Sequence, residues 1–256
     1  MNLWEAFWLG LIEGATEFLP ISSTAHLILA ERVFGLPTSE ALSAFTVAIQ
    51  SGAVLAVFFN FGLADFFKKW GERIFWGFLP TAILGALLYK TIKPLLAGNL
   101  VWLASALLFG GIIFIALDFW RRKQFSIKKK EEIFSKELTK REAFLIGLSQ
   151  TLAFIPGVSR SGATLVTGFL LGVKKEQAVK FSFLLAVPTV LSAAGLSLID
   201  SFSLENWPTL LVGFLASFLS GALVIKTVLF YLSKFSLWPY GLYRIALALI
   251  VFLGIL

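Results

Sequence analysis

The sequence predicts an all-α integral membrane protein with six transmembrane helices and two re-entrant, broken helix pairs. Three observations carry that reading. First, 58% of the 256 residues are hydrophobic and only 14% are charged, whereas a soluble domain carries about a quarter charged residues. Second, apolar runs near twenty residues recur, the length needed to cross the hydrocarbon core of a bilayer. Third, two further apolar regions are each interrupted near the middle by Pro, Ser and Gly, which leaves halves too short to span. A large soluble helical core would need more polar surface than this chain has.

In chain order, the first interrupted region is 3–34, broken at FLPISST. Spans follow at roughly 41–61, 74–93 and 98–118. Residues 119–142, FWRRKQFSIKKKEEIFSKELTKRE, form a charged loop with no apolar run long enough to span. The second interrupted region is 143–173, broken at FIPGVSRSGAT, and spans at 178–199, 207–230 and 237–256 complete the chain. A pair of half-helices that enters and leaves on one side fits each interrupted region. Irregular backbone at membrane depth is tolerated only where protein or a water-filled cavity satisfies it. The chain 1–256 is then a single membrane domain: repeat one about 1–118, a cytoplasmic basic loop about 119–141, and repeat two about 142–256.

Lys and Arg favour cytoplasmic loops. The basic loop holds Arg121, Arg122, Lys123, Lys128, Lys129, Lys130, Lys136, Lys140 and Arg141 and is placed inside. Counting spans then puts Lys68, Lys69, Arg73, Lys174, Lys175 and Lys234 inside as well. The loop around Asp200 and Glu205, which has no Lys or Arg, falls outside with both termini. Arg32, Lys90 and Lys93 are exceptions, of which the two lysines can snorkel from a helix end. The net charge of +7 is therefore read as topological rather than as a nucleic-acid footprint. The absence of Cys excludes disulfides, thiol catalysis and Cys-ligated metal. The N-terminus has no basic n-region and no A-x-A-like site, so no cleavable signal is expected.

The two interrupted regions resemble one another. EAFWLGLIEGATEFLPISS (5–23) aligns with EAFLIGLSQTLAFIPGVS (142–159): Glu5 with Glu142, Gly10 with Gly147 and, after one gap, Phe18 with Phe154, Pro20 with Pro156 and Ser23 with Ser159. Three spans separate the copies, which turns the second upside down. Inverted repeats with broken helices place a site near the midplane, at the repeat interface.

The chemistry concentrates in the two breaks. Glu13 and Glu17 are spaced i, i+4 and share one helix face. A charged group at the bilayer centre costs about 2.5–3.5 kcal/mol, so such a pair needs a partner. A divalent cation (Mg2+ or Ca2+), a general acid or base, or a hydrogen-bonded structural pair would each satisfy it. Pro20 is expected to end the first half-helix, with Ser22, Ser23 and Thr24 opening the second, where at least one hydroxyl serves as an N-cap. Ser23 and His26, the only histidine, are spaced i, i+3, as a nucleophile beside a base would be. The second break supplies the opposite charge. Gly157 and Gly162 allow close backbone approach, Ser159, Ser161 and Thr164 offer hydroxyls, and Arg160 stands at the mouth of a half-helix, where phosphate oxygens bind. Gln50, within IQSGAVLAV, is either a pocket group or an interhelical hydrogen bonder. Arg244, in YGLYRIAL, is either a functional intramembrane arginine or one paired locally near the cytoplasmic end. Together these groups point to phosphoryl chemistry on a substrate held in the membrane.

At EGATEFLPISSTAH, IQSGAVLAV, PGVSRSGAT, FSFLLAVP and YRIAL the sequence resembles the undecaprenyl-diphosphate phosphatase family, also called the bacitracin-resistance protein family. The matching stretches run from residue 13 to about 248. The resemblance implies a six-span enzyme of the bacterial plasma membrane with two inverted re-entrant loops and a site open to the outer face. It implies hydrolysis of undecaprenyl diphosphate to undecaprenyl phosphate and inorganic phosphate, which recycles the lipid carrier of cell-wall synthesis and confers bacitracin resistance. Glu13 and Glu17 fall on the family's glutamate pair, Ser23 and His26 on its catalytic serine and histidine, and Arg160 on its phosphate-binding arginine. Ala25 stands where many members have Gly.

Two other readings fit parts of the pattern. A transporter or flippase of a lipid phosphate would use the same inverted-repeat site. A two-histidine lipid phosphatase is excluded by the single histidine. Small residues in FLASFLSGALVI suit helix packing within one protomer or across a homodimer.

Overall fold

The computed structural model describes residues 1–95, 99–125, 136–201 and 207–254. Lys128, Lys129, Lys130 and Glu205 lie outside the described residues, as do the side chains of Lys90, Lys93, Arg122, Lys123 and Asp200. The described chain is helical, with one isolated backbone bridge between Lys136 and Val173.

The helices are α1 (Leu3–Thr16), α2 (Ser23–Val33), α3 (Glu40–Phe61), α4 (Gly71–Leu95), α5 (Leu100–Phe125), α6 (Lys140–Gln150), α7 (Arg160–Leu170), α8 (Lys175–Ser201), α9 (Trp207–Lys234) and α10 (Trp238–Phe252). A π-helical segment, Asp65–Trp70, leads into α4, and a 3₁₀ turn, Thr151–Phe154, follows α6. Among the described residues, four helices are long and apolar enough to cross a membrane: Glu40–Phe61, Leu100–Arg121, Lys175–Ser197 and Trp207–Lys234. Each of the six predicted runs nevertheless falls on one helix, with α4 and the shorter α10 covering the other two. Helix α5 continues past the predicted boundary at 118 to Phe125. Arg, Lys and Gln are good helix formers, so charge ends the apolar run without ending the helix. Arg121, predicted in an open loop, is consequently buried, with its guanidinium 5.0 Å from the Phe169 ring of α7.

Local signals set the starts of the half-helices. Asn2 and Glu5 form a capping box before α1, and Thr139 and Glu142 form one before α6. Each box satisfies orphan N–H groups at the helix start. Glycine then sets the crossings. A Cβ on Gly10 would lie 2.2 Å from the carbonyl oxygen of Gly213, and one on Gly147 would lie 1.7 Å from that of Gly77. Backbone therefore packs on backbone where α1 meets α9 and where α6 meets α4, as small residues permit in membranes. Gly14 sits against Ser217, and Gln150 reaches Thr81, so both pairs run parallel. Gly111 and Gly241 make the same close approach between α5 and α10.

Outward faces are apolar: Phe59, Leu87 and Leu223 are 76%, 73% and 80% exposed. A soluble protein buries such side chains, whereas a lipid solvent accepts them. Polar contacts gather at one end of the bundle. There Lys69 and Lys180 pair with Asp65, Lys140 with Glu72, Arg73 Nε donates to the Leu138 carbonyl, and Lys175 Nζ donates to that of Phe235. Hydrogen bonds from Lys174 and then Gln177 hold the Glu137 carboxyl below the usual carboxylate range.

Candidate active site

Each broken pair makes the same unusual turn. Helix α1 stops at Thr16, and its Oγ1 donates back to the Ile12 carbonyl. This is earlier than the stop predicted at Pro20, because a proline has no N–H for the carbonyl four residues back, here Thr16, and its ring crowds that carbonyl. Glu17 is the C-cap with helical dihedrals, and its N–H still donates to the Glu13 carbonyl, so the i, i+4 relation of the glutamates survives. Ser22 then adopts φ 71°, and Ser159 in the second break adopts φ 72°. They are the only non-glycine residues at positive φ among those described. Such conformations cost about 1–3 kcal/mol each and gather at functional sites. Ser22 Oγ accepts from the Ala25 N–H, and Ser159 Oγ from that of Gly162. The capping hydroxyl in the first break is thus Ser22, which leaves Ser23 available. The shared geometry pairs Ser22 with Ser159, one residue away from the sequence alignment, which places a gap to match Pro20 with Pro156.

The two breaks meet at Glu17. Ser23 Oγ donates to Glu17 Oε2 at 2.6 Å. Arg160 reaches Glu17 Oε1 through Nη2 at 3.3 Å and Nε at 3.4 Å, while its Nη1 donates to the Ser182 carbonyl at 2.9 Å. Both charged side chains are nearly buried, at 8% and 11% exposure. The partner of Ser23 is therefore Glu17, not His26 as the i, i+3 spacing predicts. A residue at the first position of a helix points back toward the incoming turn, where Glu17 lies. His26 instead has Nδ1 2.8 Å from the Ser22 carbonyl and Nε2 2.7 Å from the Tyr243 hydroxyl.

Other groups brace this core. Ser161 Oγ donates to the Leu19 carbonyl and also meets Ser159 Oγ, joining the second break to the first. Thr164 Oγ1 bonds Ser182 Oγ at 2.7 Å. Arg244 is fully buried. Its Nη1 donates to Pro20 and Val158, its Nη2 to Gly157 and Ala106, and its Nε to Leu107, all at carbonyl oxygens. It ties both breaks to α5, and Gly110 leaves room for its guanidinium, since a Cβ there would be 2.2 Å from Nη2. Neither sequence reading names these partners, which are carbonyls of both breaks and of α5 rather than a local pair. Gly157, at φ 95°, and Gly162 sit within this junction. Thr24 is half-buried in the first turn of α2, and Gln50 is half-buried in α3. None of the described hydrogen bonds joins Gln50 to the breaks. Ser182 and Tyr243 belong to the junction but were not singled out by sequence. Their only signal is polarity inside FSFLLAVP and YGLYRIAL, the latter beside Arg244.

Residues 6–250 match the family described as bacitracin resistance protein BacA. The chain belongs to this family. Proteins named undecaprenyl-diphosphatase are similar along the whole length. That of Persephonella marina is 43% identical over 261 residues and covers 100% of each chain. That of Aquifex aeolicus is 42% identical, with 98% of this chain and 97% of its own covered. That of Campylobacter fetus subsp. fetus is 42% identical, with all of both chains covered. Family and apolar helices together make this a multi-pass membrane protein.

Glu13 bears on whether such a site suits a metal. It is fully buried, and neither carboxylate oxygen has a hydrogen-bond partner. Among the described residues there is no group of three or more His, Cys, Asp or Glu that would hold an ion by itself. Carboxylate oxygens are nonetheless the donors that a hard divalent cation takes, and Glu13 and Glu17 are two such groups at this site.

Proposed function

We propose that this chain hydrolyses undecaprenyl diphosphate to undecaprenyl phosphate and inorganic phosphate, with the reaction centred where its two broken helices meet. The observation that carries the reading is the Ser23–Glu17–Arg160 arrangement: a hydroxyl bonded to a carboxylate, with an arginine from the opposite break alongside. A nucleophile bonded to a base that a third group orients is the general design of covalent catalysis. Ser23 Oγ attacks the terminal phosphorus as its proton passes to Glu17. The bond from that phosphorus to the bridging oxygen breaks, and undecaprenyl phosphate leaves. Water then attacks the phosphoserine, releasing inorganic phosphate and restoring Ser23. Arg160 turns from Glu17 to the phosphate oxygens, with the Ser159, Ser161 and Thr164 hydroxyls and the Gly157–Gly162 backbone shaping the anion cradle. His26 is a second proton-handling group. Glu13 and Glu17 would hold a divalent cation, Mg2+ or Ca2+, which supplies positive charge against the diphosphate.

The finer architecture belongs to the same proposal. Helices α3, α4, α5, α8, α9 and α10 are six spans, and α1–α2 and α6–α7 are re-entrant pairs of an inverted-topology repeat. Matched capping boxes, matched glycine crossings and the shared Ser22 and Ser159 turns support it. Helix α6 starts beside Glu72 and Arg73 at the polar end, whereas α1 runs with α9 from the other end. The basic end is cytoplasmic by the positive-inside preference. Both termini and the mouth of the site then face the outside of the bacterial plasma membrane.

The test is phosphate release by purified protein in detergent from a set of polyprenyl diphosphates, with and without chelator. Wild type is expected to release phosphate in a cation-dependent way, and R160A to lose most activity while still inserting. Near-normal release by R160A would remove the cradle assignment. Detergent has no two sides, so release there also separates hydrolysis from transport.

A further inference from the structure

His26 and Tyr243 form a pair that, among the described hydrogen bonds, makes no direct contact with the Ser23–Glu17–Arg160 arrangement. Helix α10 is pinned by Arg244, whose guanidinium reaches carbonyls in both breaks. Tyr243, one residue earlier, is therefore held at a fixed place against α2. Its hydroxyl lies 2.7 Å from His26 Nε2, and the two rings are parallel within 3°. The other ring nitrogen, Nδ1, lies 2.8 Å from the Ser22 carbonyl oxygen. A carbonyl only accepts, so Nδ1 carries the hydrogen. A neutral imidazole has one N–H, which makes Nε2 the lone-pair nitrogen and the Tyr243 hydroxyl its donor. The strained Ser22 turn sets one side of this arrangement and α10 the other. Tyr243 is 45% exposed.

We propose that Tyr243 is the positioning residue for His26. With the tautomer set by the Ser22 carbonyl, its hydroxyl donates to Nε2 and holds the ring in place, and it gives way to an incoming diphosphate, to which it then donates. This rests on the phosphatase reading for the identity of the ligand, but the resting tautomer does not. A second ring nitrogen fixed by a hydrogen-bonded partner is the usual way a protein chooses which nitrogen of a histidine reacts.

Because His26 is the only histidine, protein labelled with 15N-histidine gives one imidazole signal set. In detergent without substrate, wild type is expected to show a protonated Nδ1 and an unprotonated, hydrogen-bonded Nε2. In Y243F, which keeps the ring and leaves the Ser22 carbonyl in place, Nδ1 should stay protonated and the Nε2 signal should move toward that of an unbonded nitrogen. Inorganic pyrophosphate, added as the probe with Mg2+, should shift the Nε2 signal of wild type. With undecaprenyl diphosphate, Y243F should lose roughly 2- to 12-fold in kcat, the size of one hydrogen bond. A wild-type spectrum with hydrogen on Nε2, or identical wild-type and Y243F spectra, would overturn the assignment. An unmoved Nε2 signal with pyrophosphate, or an unchanged kcat in Y243F, would overturn the hand-off to substrate. If wild type released no phosphate from any lipid diphosphate, the phosphatase reading would fail while the spectra still decided the tautomer. The wild-type spectrum alone suffices for that if Y243F does not fold.

Discussion

Arg244→Met is expected to destabilise the protein and disorganise both breaks together. Among the described hydrogen bonds, Arg244 is the only donor to the carbonyls of Pro20, Gly157 and Val158. The carbonyls of Ala106 and Leu107 lie within α5 and keep the helix ladder. Three buried carbonyls would thus lose their partner, at about 1–3 kcal/mol each. The lower bound of roughly 3 kcal/mol corresponds to a fall of about 6–12 °C in unfolding temperature for a chain of this size. Methionine fills part of the volume beneath Gly110 but donates nothing. Lysine carries three donors on one atom and cannot reach carbonyls on both sides, so Arg244→Lys should recover only part of the loss. A displacement near 1 Å costs on the order of 100-fold in rate, so phosphate release should fall by about that factor in R244M. The assays are thermal unfolding in detergent, followed by intrinsic tryptophan fluorescence, and phosphate release on the same samples. An R244M protein with wild-type unfolding temperature and rate would refute the reasoning.

Three further outcomes follow from the same geometry. Gly147→Ala should cost about 1–3 kcal/mol or more, because its Cβ would meet the Gly77 carbonyl oxygen at 1.7 Å; Gly195→Ala, with nothing within 4 Å, should be neutral or stabilising in the same unfolding assay. At Ser22, φ 71° reinforces the order usual for an N-cap: Ser22→Gly should be milder than Ser22→Ala, which loses a cap worth about 1 kcal/mol and keeps the backbone strain. Glu17→Gln removes the base for Ser23 and the negative charge beside Arg160, and phosphate release should fall by on the order of 10²–10⁴ with the fold retained by circular dichroism.

Much of the fold is visible in the sequence because the bilayer imposes a coarse and strong pattern. Apolar runs mark the long helices, and Pro20 with Pro156 marks the breaks. Boundaries are less visible where two signals separate, as in α5, where apolarity ends near 118 and helix propensity carries on to Phe125. Residue types at the site are also visible, since Glu13, Glu17, His26 and Arg160 stand out against their surroundings. Their pairing is not. The spacing of Ser23 and His26 measures separation along an ideal helix, but Ser23 is the first helical residue and turns back to Glu17. Ser182, Tyr243 and the loop carbonyls of Arg244 come from helices far away in sequence, and only packing brings them to the breaks.

The most direct test of the Ser23–Glu17–Arg160 centre compares wild type with Ser23→Ala in detergent, measuring inorganic phosphate and lipid product from undecaprenyl diphosphate. Wild type should release one phosphate for each undecaprenyl phosphate formed, and S23A, still folded, should be slower by at least roughly 100-fold. A folded S23A protein that releases phosphate at the wild-type rate would contradict the account.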